Sequence, residues 1–301
     1  MTRRVGPALA YAMLVASTLI WSGNFVVGRA VRLDIPPIGL SFWRWTLALV
    51  LLLPFGLPEL RRRLPFIRHH WRIFTLLALT GVATFNTAAY LALSATEAVN
   101  AVLMISITPV LIVALSWLMF RDPVSPAQGI GIVISLCGVV TIIARGDIAV
   151  LLDLRLNPGD LWMVVAVSAW AWYSTLLKRR PEGLSPVGQL TLLVGIGWAA
   201  LIPLYIAEAA SGRPMPVDAA AVAVVFYVAV LASIAAYFCW NGAVAAVGPN
   251  RSGLFLHLMP VFSTVLAILF LGERFHAFHA LGIALILCGL VLTTRSGAAG
   301  Q

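Results

Sequence analysis

The sequence predicts an all-α integral membrane protein of ten transmembrane helices, arranged as two five-helix repeats of inverted topology. Three observations lead there. Of 301 residues, 61% are hydrophobic and only 10% are charged, against about a quarter charged in an average soluble domain. Apolar runs long enough to cross a bilayer recur from end to end. The chain also matches itself at a shift of roughly 150 residues, the mark of an internal repeat.

The composition excludes a soluble enzyme, a secreted disulfide scaffold and a disordered chain. The longest clearly polar stretch, Glu59 to Arg72, reads as a loop, so no sizeable soluble domain is expected. The formal net charge of +9 reflects orientation in the membrane by the positive-inside rule, and no nucleic-acid partner is expected. Lys178 is the single lysine and follows Leu177, which removes a P-loop, whose lysine must follow glycine. Cys137, Cys239 and Cys288 lie in apolar runs without a C-x-x-C, where a thiol packs as a small hydrophobe. No disulfide, metal or cofactor is expected.

A window of about 19 residues places spans at 8–31, 37–58, 73–95, 98–119, 127–144, 159–177, 187–208, 219–246, 252–271 and 278–294. The first follows Thr2-Arg3-Arg4. It is too long for a signal peptide and has no clear cleavage site, so it reads as a retained span. With the N-terminus inside, alternate loops carry thirteen basic residues on the cytoplasmic side and six on the other. Both termini are therefore expected in the cytoplasm.

A shift of 151 lays residues 97–146 over 248–297 with 12 identities in 50 ungapped pairs. Pro109 falls on Pro260, Gly131 on Gly282, Cys137-Gly138 on Cys288-Gly289, and Asp122 on Glu273. The earlier helices fit a shift of 149, which puts Trp21 on Trp170, Asn24 on Tyr173 and Arg29 on Lys178. The repeats are expected at 8–146 and 157–295. Five spans per copy is an odd number, so the copies point in opposite directions. Inverted repeats are the architecture by which many secondary transporters alternate access to a site near the midplane.

Trp21-Ser22-Gly23-Asn24-Phe25 in the first span, Pro260 followed by Leu271-Gly272-Glu273, and Leu281-Gly282 with Cys288-Gly289 in the last span resemble the EamA-type transporters of the drug/metabolite transporter superfamily. The likeness covers nearly the whole chain. It implies an exporter of small metabolites in a bacterial inner (plasma) membrane, with a cavity drawn from the first, third, fourth, sixth, eighth and ninth spans. Among these the chain looks most like exporters of amino acids, aromatic ones notably. Arg121-Asp122 stands where Gly-Glu is usual, which puts the role of that acid in doubt.

Polar side chains are costly in hydrocarbon, so their positions carry information. Asn86 and Tyr90 are four apart on one helix face, as are Tyr237 and Asn241. The 151 shift superimposes the two pairs with their chemistries exchanged. They are candidate substrate contacts, the alternative being interhelical hydrogen bonds of about 0.6 kcal/mol each. Asn24, Trp21, Trp170, Tyr173 and Trp240 also lie within spans and would supply polar contacts, flat apolar walls and cation–π faces. Trp43, Trp45, Trp71 and Trp162 suit the interfacial belt. Ser106 corresponds to His257, each shortly before a proline, and kinks at Pro109 and Pro260 would free carbonyls toward a cavity. His257 is a candidate proton relay, or else donates to such a carbonyl. No Asp or Glu lies near the middle of a span, so transport is expected to be facilitative or proton-linked through His257. Arg44 could meet a substrate carboxylate, but its place near the end of the second span favours snorkelling to the headgroups. Gly131, Ser135 and Gly138, with Ala284 and Cys288, form small-residue seams for bundle packing or a homodimer.

The reading that fits best is a secondary exporter of neutral or aromatic amino acids or similar amphipathic metabolites. Export of lipophilic cations or drugs is the alternative. An intramembrane enzyme is remote, since the spans hold no H-E-x-x-H and no clustered carboxylates. The protein is expected to work as a monomer or homodimer in the bilayer.

Overall fold

A computed structural model describes residues 5–96, 98–155, 157–271 and 274–295; of the motif residues noted above, Gly272 and Glu273 lie outside them. The described residues form helices that group into ten spans. Three of the first four are unbroken: Pro7–Ala30, Pro37–Arg62 and, with an internal change of pitch, Trp71–Ala95. The fourth is split into Ala98–Ile105 and Thr108–Phe120, and the fifth is Pro126–Ile143. The second half runs Pro158–Leu176, Pro186–Ala210, Ala219–Val247, Leu258–Leu271 and Ala277–Arg295. Eight of the ten are long and apolar enough by themselves to cross a membrane. The ninth is lengthened by the turn Phe255–His257 and the helix Pro249–Leu254 that precede it.

Proline at the first helical positions and Ser or Asn caps set several starts. Ser125 accepts from the Gln128 N–H in a capping box that opens the fifth span, and Asn157 accepts from the Gly159 N–H at the sixth. Pro109 also stands at a start, just after the break in the fourth span. Glu59 to Arg72 is not the loop the sequence suggested. The second span continues to Arg62, and Leu64–His69 forms a short helix whose Phe66 and Ile67 pack on the core.

The packing is that of an internal two-fold. On such an axis a residue meets its own counterpart, and off it contacts come in exchanged pairs. The fifth and tenth spans cross through glycines. A Cβ on Gly138 would lie 2.6 Å from the Gly282 carbonyl oxygen, and one on Gly289 would lie 2.3 Å from that of Gly131. These are the exchanged pairs of the 151 register, so the seam closes inside one chain; on the tenth span it runs through Gly282 and Gly289, while Ala284 and Cys288, expected in it, lie on the exposed side of the helix. The second and seventh spans pair likewise. Glu208, at the end of the seventh, accepts from the N–H groups of Ile38 (3.2 Å) and Gly39 (2.6 Å) at the start of the second. Glu59, near the end of the second, accepts from the Ser185 N–H (2.7 Å) and hydroxyl at the start of the seventh. A carboxylate at a helix N-terminus meets both orphan N–H groups and the positive end of the dipole.

Candidate functional site

The centre of the bundle is built where the two halves meet. Trp21 and Trp170, repeat counterparts, touch edge to face with centroids 4.9 Å apart. Trp240 lies 5.4 Å from Trp21 and 5.5 Å from Trp170, and Tyr237 closes the cluster at 5.9 and 5.6 Å. Tyr173 packs 5.1 Å from Trp170. Such offset and edge-on pairs each add about 0.5–1.5 kcal/mol beyond their buried area.

Polar groups bracket this cage. Asn86 Nδ2 donates to Tyr237 Oη at 2.9 Å, a bond between residues 151 apart and so on the axis. Tyr90 Oη donates to Asn24 Oδ1 and Tyr173 Oη donates to Asn241 Oδ1, both at 2.8 Å. These are one bond repeated by the two-fold with donor and acceptor exchanged. Asn24 and Tyr173 stand near the C-terminal ends of the first and sixth spans, which run in opposite directions. One rung therefore lies toward each face of the bundle, with the aromatic cage between.

Two backbone features expose carbonyls here. Leu79–Thr84 and Val228–Ala235 are π-helical and end at equivalent positions of the two halves. Phe85 N–H reaches back to Thr80 and Ala236 N–H to Leu231. When α-helical spacing resumes, the next carbonyl is left out of the ladder. Those carbonyls are Gly81, which accepts from Tyr237 Oη and Asn86 Nδ2, and Ala232, which accepts from Trp21 Nε1 at 3.0 Å. The sequence pointed to proline-freed carbonyls only, because a one-residue insertion in helical pitch has no residue signature.

His257 and Ser106, also counterparts, meet on the axis. His257 Nε2 donates to the Ser106 carbonyl (2.9 Å), and Nδ1 faces Ser135 Oγ (2.7 Å). The Ser106 hydroxyl turns back to the Val102 carbonyl of its own helix. Toward the face that carries the N-terminus, Lys178 forms an ion pair with Asp122, which gives that acid a partner.

Two expectations are corrected. Arg44 does not snorkel: it is fully buried. Its Nε donates to Ser233 Oγ (2.8 Å) and its Nη1 to Asn86 Oδ1 (2.8 Å) and Tyr90 Oη (2.7 Å). Trp45 is not interfacial; it is buried edge-on against Tyr237 at 5.2 Å. Both lie on the inner stripe Ser41, Arg44, Trp45, Ala48 and Leu52, while Trp43, Val50, Leu51 and Phe55 face outward. The small residues Ser41 and Ala48, at helical spacing on either side of Arg44 and Trp45, were the available signal, and distance from the span end outweighed it. Trp43, Trp71 and Trp162 are exposed, as a belt requires. The structure thus gathers Trp21, Asn24, Asn86, Tyr90, Trp170, Tyr173, Tyr237, Trp240 and Asn241 into one buried cluster. His257 and Ser106 form a separate contact.

A buried polar and aromatic cluster on the axis of two inverted five-helix repeats is the architecture of a membrane transporter. The chain belongs to the EamA-like transporter family, whose profile matches residues 8–144 and 157–295. It is 28% identical to an uncharacterized transporter of Archaeoglobus fulgidus over 94% of this chain and 96% of that protein. It is 27% identical to a probable terminal-alkyne amino-acid exporter of Streptantibioticus cattleyicolor, covering 94% of this chain and 92% of that one. A crystal structure of a protein 20% identical in sequence superposes with a TM-score of 0.74, covering 97% and 98% of the two chains, and shares the fold.

Proposed function

We propose that this transporter exports amino acids, neutral and aromatic ones foremost, by alternating access around the Trp21–Trp170–Trp240 cage. The observation that carries the reading is the cluster itself: three buried indoles in edge-on and tilted contact, with Asn and Tyr groups at both ends, a set of surfaces that suits a flat apolar side chain with a polar terminus. The two Tyr–Asn rungs act as thin gates, one toward each face, and both are closed here. Movement of the first span against the third, or of the sixth against the eighth, opens one rung at a time. The bias of basic residues toward one side supports cytoplasmic termini and a bacterial inner membrane, so the Tyr173–Asn241 rung faces the cytoplasm. The relation to an amino-acid exporter supports the substrate class.

Both nitrogens of His257 are engaged by neutral partners inside the protein, which supports a brace between halves over a proton relay and favours facilitative exit. The test is counterflow in proteoliposomes across amino acids, nucleosides and lipophilic cations. Exchange of labelled phenylalanine or tryptophan, abolished by Trp240→Ala and weakened by Tyr237→Phe, is expected. Exchange of a cation without any amino acid would overturn the substrate assignment. Transport unaffected by both variants would remove the eighth span from the site.

A further inference from the structure

We infer that Arg44 is the anchor for a carboxylate on the transported molecule, with Nη2 as the contacting nitrogen. The inference rests on the amino-acid reading above only for its choice of probes.

A guanidinium has five N–H groups. Three of Arg44's are spent on Ser233, Asn86 and Tyr90, all neutral. Each of those oxygens belongs to a group already donating elsewhere. Ser233 Oγ donates to the Val228 carbonyl, Tyr90 Oη to Asn24, and the Asn86 amide to Tyr237. The network is therefore closed around a cation and holds no negative charge. Nη2 is buried and has no hydrogen-bond partner.

A buried charge is retained when it is paired or when it serves a ligand. Among the described residues no acid pairs with Arg44, and four of those near helix ends are committed elsewhere. Glu59 holds Ser185, Glu208 holds Ile38 and Gly39, Asp160 holds Thr96 and Asn157, and Asp122 holds Lys178. The ring faces of Trp45 and Tyr90, 5.1 and 5.7 Å from the guanidinium carbon, offset part of the cost without neutralising it. Nor is Arg44 part of the repeated frame. Shifts of 149 to 151 place it on Leu193, Val194 or Gly195, so its charge is specific to one half.

The neighbouring donors point the same way. Trp45, Trp170 and Trp240 each hold a buried indole N–H without a partner, and all three belong to the aromatic cluster that Tyr237 joins. Spare donors and one uncompensated positive charge suit a singly charged acceptor. A carboxylate beside an apolar side chain fits. A phosphate dianion would call for a second cation, and an organic cation would be repelled.

The test compares phenylalanine, phenylalaninamide and 3-phenylpropionate as competitors of labelled phenylalanine in proteoliposomes, and as stabilisers of the wild-type protein in detergent. Both carboxylates are expected to compete and to raise the Tm, with the amide at least tenfold weaker. Arg44→Gln is expected to lose tenfold or more of carboxylate transport while Arg44→Lys keeps a measurable part. Should Arg44→Gln not fold, the wild-type Tm comparison decides alone. An amide that competes and stabilises as well as phenylalanine overturns the assignment, as does Arg44→Gln transporting phenylalanine within twofold of wild type. Were 3-phenylpropionate carried but no amino acid, the amino-acid reading would fall and Arg44 would stand.

Discussion

Replacing Tyr173 with Phe removes one hydroxyl from the rung nearer the N-terminal face and leaves Asn241 Oδ1 without its 2.8 Å donor. Replacing Tyr90 does the same on the opposite face, but Tyr90 Oη also accepts from Arg44 at 2.7 Å. One such bond inside a membrane protein contributes about 0.6–2 kcal/mol. At about 1 kcal/mol, Tyr173→Phe shifts the balance between closed and open on its face roughly fivefold. Tyr90→Phe breaks two bonds, so about 2 kcal/mol and a shift of roughly thirtyfold are expected on its own face. Spin-label distances in nanodiscs, in a background with Cys137, Cys239 and Cys288 replaced, give the readout. Exposed Val124 and Ala246 report one face, and exposed Leu33 and Val217 the other. Tyr173→Phe should lengthen the first distance, Tyr90→Phe the second, and the double variant should widen both distributions. Shifts of the same sign in both single variants would refute the gating argument, because rungs on opposite faces cannot open one face together.

Other consequences follow from the packing. Glu59→Ala and Glu208→Ala should each lower stability by about 1 kcal/mol through lost helix caps, and by similar amounts, since they occupy equivalent places; thermal unfolding in detergent measures this, and a large inequality would deny the two-fold pairing. Gly289→Ala drives a Cβ to 2.3 Å from a backbone oxygen and should cost about 1–3 kcal/mol or more, whereas Gly129→Ala meets nothing within 4 Å and should leave the Tm unchanged. His257→Ala should lower the Tm through two lost buried contacts while the dependence of flux on pH keeps its wild-type shape; a flattened profile would restore His257 as a relay.

The ten spans, their inversion and most of the central cluster were legible because each rests on a local rule. Hydrocarbon thickness sets the apolar runs, and an odd number of spans per copy forces inversion. A polar residue at membrane depth is rare enough to mark itself, which is how Asn86, Tyr90, Tyr237 and Asn241 stood out. What stayed hidden depends on where a helix sits in the bundle. Arg44 lies within two turns of its helix end, and in a peripheral helix that position would reach the headgroups. The second span instead packs against the third, the seventh and the π-helical stretch of the eighth, so the same side chain ends inside. The Glu59–Glu208 pair was hidden differently. Both are ordinary charges near span ends, and only the 149 register applied to that pair would have shown that each caps the other's helix.

The symmetry and its breach at Arg44 together bear on mechanism. Equivalent rungs, caps and π segments give the two faces nearly equal closing energies, so neither open form is strongly favoured by the frame itself. A ligand moves such an equilibrium only through its different affinity for the two forms. Arg44 supplies the difference, because it bonds to the Tyr90 hydroxyl in one rung, whereas the cation at the other, Arg180, reaches only the Asn241 backbone carbonyl at 3.3 Å. The charge that breaks the repeat is thus joined to the hydroxyl of one rung, and there the scarcity of charged residues carries the most weight: among the described residues Arg44 is the one buried arginine or lysine, and a cation so placed can bias a structure whose two halves are closely matched.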